Sequence, residues 1–236
     1  MQAQAFIFDC DGVIWRGDSL IEGVPETLDM LRAAGKRTIF VTNNSTKSRA
    51  GYKGKFTSLG LNVEPEEIYS SSFAAAAYLQ ATNFDRSKKV YIVGEVGIEE
   101  ELDKVGIRYV GGSAHVGMVP DMGKGQKVEV DPDIAAVIVG FDRHVNYYKL
   151  QYATVCLREL PGCEFIATNL DAVTHLTDAQ EWAGNGAMVR AATLSAGFAW
   201  FSHLALRVQC SRCPAAGVRG VARGGGVSSG GCRWAR

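Results

Sequence analysis

Short apolar runs alternate with amphipathic stretches along most of the chain. Phe6, Ile7 and Phe8 form a run that stops abruptly at Asp9, and residues 37–42, R-T-I-F-V-T, form a second run with a polar carboxyl end. Such β-rich apolar runs predict buried parallel strands. Between them Leu28 and Leu31, with Val24 and Met30 nearby, supply a helical face that Pro25 opens and Gly35 closes. Further helices are predicted over 48–59, stopped by Gly60, and over the Ala-rich 70–79. Strands follow at 90–94, 107–110 and 134–139, helices at 98–105 and 147–160, and a Gly-rich loop at 111–130. Residues 164–171, E-F-I-A-T-N-L-D, repeat the strand-then-polar pattern a third time. Strands alternating with helices predict an α/β protein with a parallel sheet.

The chain has 236 residues, enough for one large or two modest domains. Its 25 basic and 25 acidic residues cancel, which gives no reason to expect a nucleic-acid or membrane partner. The balance hides an asymmetry: from Trp182 onward there is no Asp, Glu or Lys but seven Arg. Cys10, Cys156 and Cys163 fall in predicted elements and read as small buried hydrophobes in a reducing compartment. The opening residues show no charged targeting region, and the apolar stretch 196–206 is too short to span a bilayer.

Asp9 and Asp11, two residues apart at the carboxyl end of a strand, sit where an open α/β sheet forms its ligand crevice. In a continued strand both side chains would share a face, and their repulsion would call for a cation. A bound metal and a phosphate are the simplest explanation, and an Asp pair that only caps a turn is the alternative. Thr42 and Asn43 end the second strand, so a hydroxyl, an amide and helix N-terminal N–H groups would cradle phosphate oxygens. Taken alone, T-N-N-S is an ordinary helix cap; beside the Asp pair the cradle reading is favoured for Thr42 and Asn43, with Asn44 and Ser45 structural.

F-D-C-D-G-V-I-W at 8–15, followed about one βα unit later by F-V-T-N-N-S at 40–45, resembles the haloacid dehalogenase superfamily of phosphohydrolases. The likeness is densest to the group of phosphoglycolate, pyridoxal and 4-nitrophenyl phosphatases, and it runs to about Val189. It implies a Rossmann-like parallel-sheet core interrupted by an α/β cap: core at 1–84, cap at 85–163, core again at 164–194. It also implies a magnesium-dependent phosphomonoester hydrolase, most simply a phosphoglycolate phosphatase. Asp9 would be the nucleophile and Asp11 the general acid and base. Mg²⁺ would be held by Asp9, the backbone of Asp11 and a later carboxylate.

A cap loop at 140–146, G-F-D-R-H-V-N, would bring Arg143 or His144 to the substrate. A solvated loop is the equal alternative. Asp171 and His175, after the third strand, could support the site residues from behind but are assigned structural roles, and Gly184, Asn185 and Gly186 resemble the family's glycine loop. The partner implied is a small phosphorylated metabolite, with a homodimer through the cap left open. The expected compartment is the cytoplasm, or the chloroplast if the source is photosynthetic.

The family pattern continues with a G-K-P lysine and a late G-D carboxylate, but no Lys follows Lys149 and no Asp follows Asp178. The core is therefore expected to be incomplete at its carboxyl end, and a non-catalytic phosphate-binding protein is the alternative function. The Gly/Arg/Cys-rich stretch 195–236, with C-S-R-C-P-A-A-G-V-R-G at 210–220, has three readings: a zinc or redox C-x-x-C, an RNA contact, or translated intron or out-of-frame sequence. The last is favoured, because Cys232 stands alone and regular repeats are missing. As composition it is expected to be disordered beyond about Val208.

Overall fold

The computed structural model describes residues 3–177 and 179–197. In chain order these form β1 (Ala5–Asp9), β2 (Trp15–Arg16), β3 (Ser19–Leu20), α1 (Val24–Ala33), β4 (Arg37–Thr42), α2 (Arg49–Ser58), β5 (Ile68–Ser70) and α3 (Ser71–Ala81). There follow β6 (Lys89–Val93), α4 (Val96–Lys104), β7 (Arg108–Gly111), β8 (Ile134–Val139), α5 (Tyr147–Glu159), β9 (Glu164–Ala167), β10 (Val173–Thr174), β11 (Trp182–Ala183) and α6 (Asn185–Ser195). The α/β class and the parallel sheets are as the sequence predicts. The expected disorder beyond Val208 lies outside the described residues.

Two parallel sheets organise these elements. The first has the order β1-β4-β5, with Phe8 opposite Phe40 and Asp9 opposite Val41. Its buried face is aromatic: the Phe40 ring lies 4.7 Å from Phe56, which meets Trp15 edge-on at 4.9 Å. Leu28 of α1 and Tyr52 of α2 complete that cluster. The opposite face leaves Ile7 59% and Val41 38% exposed.

The second sheet has the order β7-β6-β8-β9. Both of its faces are covered, which is why β6 and β8 read as continuous apolar runs. Ala75, Ala76 and Leu79 of α3 pack with Ile98 and Leu102 of α4 on one face. Tyr152 and Ala153 of α5 and Val189 and Ala192 of α6 cover the other.

This sheet membership corrects the division drawn from the sequence. Residues 164–194 were to return to the first sheet, but β9 pairs in parallel with β8, from Ala136 opposite Glu164 to Val139 opposite Ala167. Ile166 and Ala167 point to opposite faces of the second sheet and fill both of its cores. The boundary at 84 also moves in packing terms, because α3 lays its small side chains on the second sheet.

The segment joining the two halves is the loop after β4. Ser45 Oγ accepts from Phe141 N at 3.1 Å, Gly97 N donates to the Thr46 carbonyl at 3.2 Å, and Ser72 Oγ donates to the Lys47 carbonyl at 2.8 Å. A Cβ on Gly97 would overlap the Lys47 backbone and lie 2.6 Å from the Ser45 carbonyl oxygen. Glycine is therefore required there for space, so that α4 can approach the loop.

Glu101, 1% exposed on α4, accepts Arg49 N at 2.7 Å and pairs with Arg49 and Lys104. Burial alone would raise its carboxyl; the bonds from Lys104 and Arg49 outweigh burial and hold it below the ordinary carboxylate value. A depressed folded value stabilises the fold above the unfolded value of about 4.3, and the gain is lost as pH falls through the folded value. Glu101→Gln is expected to lower Tm by several degrees at pH 7, with the deficit shrinking as pH falls below about 4. Thermal melts of both proteins across pH 3–8 check this. A deficit constant with pH would assign the effect to shape rather than charge.

Candidate active site

Asp9 closes β1, and Thr42 closes its neighbour β4, so parallel pairing alone brings the two together at one sheet edge. Asp9 Oδ1 accepts Cys10 N at 2.8 Å, which fixes one oxygen, and the other has no hydrogen-bond donor among the described residues. Although Asp9 as a residue is open to solvent, its carboxyl is held above the ordinary value. Desolvation is the largest cause, the Cys10 N–H opposes it, and the charges of Asp11 and Asp171 add to it.

The strand stops at Asp9, so Asp11 does not share a strand face with it. A turn delivers Asp11 instead. Ile14 N returns to the Cys10 carbonyl at 2.9 Å, Gly12 N meets the Trp15 carbonyl at 2.7 Å, and Gly12 takes φ 83°, which suits glycine. The indole N–H of buried Trp15 then donates to Asp11 Oδ1 at 2.8 Å. One oxygen of each carboxylate is thus anchored by a protein donor.

Thr42 is buried beside the Tyr52 phenol, and its hydroxyl oxygen accepts Asn44 N at 3.2 Å. The Asn43 carbonyl accepts Ser71 Oγ at 2.6 Å, while its side-chain amide reaches Asp171. No helix opens directly after Asn43. The chain first passes through the 43–48 loop, and α2 begins at Arg49, capped by Ser48 Oγ on Gly51 N at 3.2 Å. Asn44 Oδ1 accepts from Thr46, and Ser45 holds Phe141, so both of these shape the loop.

Arg143 and His144 follow β8 in the loop that reaches Ser45. The Arg143 guanidinium is committed to Glu95, with Nε to Oε1 at 2.9 Å and Nη2 to Oε2 at 2.6 Å. Burial would raise the Glu95 carboxyl, but the Arg143 bonds outweigh it and hold it low. His144 N donates to Asp142 Oδ1 at 2.8 Å. His175 is exposed between β10 and β11.

Two residues given no catalytic or binding role in the sequence reading lie at the site. Asp171 accepts Asn43 Nδ2 at 3.2 Å and contributes to the negative field at Asp9. Tyr52 is buried beside Thr42; burial raises its phenol above the ordinary value, the Thr42 hydroxyl opposes this, and the charges of Asp11 and Asp9 add to it. The signal for Asp171 was present, as the third strand-then-polar segment. Tyr52 had none, being one aromatic on an amphipathic helix.

Hard carboxylate oxygens crowded at one strand end form the donor chemistry that a small divalent cation prefers. Asp9 and Asp11 would hold such an ion, each with one oxygen unclaimed by the bonds above. Among the described residues no three His, Cys, Asp or Glu side chains come together as a metal site, so the fit is that of two carboxylates completed by substrate and water.

Residues 6–108 match the haloacid dehalogenase-like hydrolase family. The chain is 65% identical over 195 residues to phosphoglycolate phosphatase 1A, chloroplastic, of Arabidopsis thaliana, covering 80% of this chain and 52% of that protein. It is 40% identical over 190 residues to the 4-nitrophenylphosphatase of Schizosaccharomyces pombe, covering 78% and 61%. The crystal structure of a glycerol phosphate phosphatase from Mycobacterium tuberculosis in complex with magnesium superposes with TM-score 0.63 at 26% identity, over 82% of this chain and 51% of that one. The chain thus spans about half the length of the plant relative. With Asp9 and Asp11 at the end of β1 and Thr42 and Asn43 beside them, residues 6–108 belong to the haloacid dehalogenase-like hydrolase family, and the chain is similar to phosphoglycolate phosphatases and 4-nitrophenylphosphatases.

Proposed function

We propose that this protein is a magnesium-dependent phosphomonoester hydrolase, with 2-phosphoglycolate as its substrate. The observation that carries the reading is the meeting of the Asp9–Asp11 pair with Thr42 and Asn43 at one sheet edge. The 65% identity to a phosphoglycolate phosphatase supports the choice of substrate. The chloroplastic designation of that relative supports the chloroplast, the alternative in the sequence reading, over the cytoplasm.

Asp9 Oδ1 is tied to Cys10 N, so the other oxygen attacks phosphorus and forms an acyl phosphate. The leaving alkoxide takes a proton from Asp11, and the same carboxylate then removes a proton from the water that attacks the acyl phosphate, releasing inorganic phosphate and freeing Asp9. The Trp15 N–H keeps Asp11 oriented through both steps. Thr42 Oγ and Asn43 Nδ2 donate to the non-bridging oxygens, on which charge builds. A bound Mg²⁺ would neutralise charge between the carboxylates and the phosphoryl group.

Phosphate release from 2-phosphoglycolate is expected to require Mg²⁺, to stop on chelation and to recover when the metal is returned. The alternative, phosphate binding without turnover, is favoured by the lack of a third metal-ligating side chain among the described residues. Release equal to that of an Asp9→Asn variant at saturating Mg²⁺ would select that alternative.

A further inference from the structure

We propose that Asp171 is a positioning residue of the phosphate cradle, whose carboxylate fixes the Asn43 amide with its N–H groups, not its carbonyl, toward the phosphoryl oxygens. The inference rests on the phosphatase reading of Asp9, Thr42 and Asn43. Asn43 comes from the first sheet and Asp171 from the segment after β9, so this is a bond between the two halves.

A side-chain amide has two nearly isosteric orientations, one presenting donors and the other an acceptor. Presenting the carbonyl to a phosphate would repel it. Asn43 Nδ2 donates to Asp171 Oδ2 at 3.2 Å. A carboxylate accepts and does not donate, so it selects the donor orientation and leaves the second N–H of the same nitrogen for the phosphate.

Asp171 is itself held in place. The same Oδ2 accepts Asn169 Nδ2 at 2.8 Å, and Asn169 Oδ1 accepts Thr168 Oγ1 at 2.9 Å and Asn185 Nδ2 at 3.1 Å. Asn185 is 1% exposed, and its Nδ2 also faces the Asn169 carbonyl at 2.9 Å and the Val139 carbonyl and Thr168 Oγ1 at 3.3 Å each. Turning that amide over would set its carbonyl against those acceptors. The orientation persists although Asn185 Oδ1 is buried without a partner among the described residues, a loss that mutational data show to be unfavourable. Orientation therefore passes from Asn185 to Asn169 to Asp171 to Asn43.

The G-N-G sequence around Asn185 acquires a reason. Gly186 N donates to the Asp171 carbonyl at 2.9 Å. A Cβ on Gly186 would lie 2.7 Å from the Leu170 carbonyl oxygen, and one on Gly184 would overlap that of Asp171. The glycines let the start of α6 clamp the Asp171 backbone.

The test compares the full chain with Asp171→Ala, Asn43→Ala and the double variant. Asp171→Ala and Asn43→Ala are each expected to raise KM for 2-phosphoglycolate and Kd for inorganic phosphate about tenfold, with kcat falling less than KM rises. The double variant is expected to be no worse than Asn43→Ala, because the two act through one amide. Losses that multiply, or an Asp171→Ala protein with unchanged KM and Kd, would overturn the proposal. If the unaltered chain neither hydrolyses the ester nor binds phosphate, the phosphatase reading fails. The relay then stands or falls on ¹⁵N NMR of the Asn43 side-chain NH₂ group. Its signals are expected to shift and exchange faster in Asp171→Ala, and unaltered signals would refute it.

Discussion

Asp9→Asn is expected to reduce phosphate release about 10⁴-fold or more, the scale seen when a covalent nucleophile is removed. The substitution preserves shape. An Asn oxygen still accepts Cys10 N, and the β1–β4 pairing does not involve the side chain. What is lost is the oxygen that forms the acyl phosphate. Asp11→Asn removes proton transfer instead and is expected to lower the rate about 10²–10⁴-fold. The two variants differ in kind as well as degree: acid quenching during turnover should trap labelled phosphate on the protein with Asp11→Asn and none with Asp9→Asn. Single-turnover assays with matched melting curves give the measurement. An Asp9→Asn protein within tenfold of the unaltered chain would rule out the covalent route.

The Asp9–Asp11 pair was legible in the sequence because it is local. An apolar run ending in D-C-D needs no knowledge of distant packing, and neither does the T-N-N-S end of the next strand. The manner of delivery was less legible. Asp11 is placed by Trp15 through a turn, so a period-two argument does not apply to it past the strand end at Asp9. The assignment of β9 failed for a related reason. A four-residue apolar strand records that it is buried, but not which sheet buries it, and pairing with β8 is a contact between distant segments. The hairpins β2–β3 and β10–β11 contribute two residues per strand, too few for any periodicity. Asp171 illustrates the limit most directly. Its chemistry was visible in T-N-L-D, but its role depends on Asn43, 128 residues away in sequence.

Lys149→Met is expected to be among the most destabilising single changes in the chain, at about 3–5 kcal/mol. Lys149 Nζ and Asp142 Oδ2 are 2.6 Å apart, and both side chains are 0% exposed. Removing the cation strands a carboxylate in a site that water does not reach, so the loss includes the desolvation of Asp142 as well as the attraction itself. Asp142 also accepts His144 N at 2.8 Å, and Lys149 N is bonded by the Asn146 cap at 2.9 Å. The pair therefore fixes the 140–146 loop, the same loop whose Phe141 N holds Ser45 and whose Arg143 holds Glu95. Adding Asp142→Asn to Lys149→Met restores neutrality while keeping an oxygen for His144 N. The double variant is expected to recover more than half of the loss, because two neutral groups of similar volume need no charge partner. Urea unfolding of the four proteins in the cycle measures both terms through the midpoint at constant slope. If the two single losses simply add in the double variant, the pair is not coupled, and packing alone would account for the burial of Lys149.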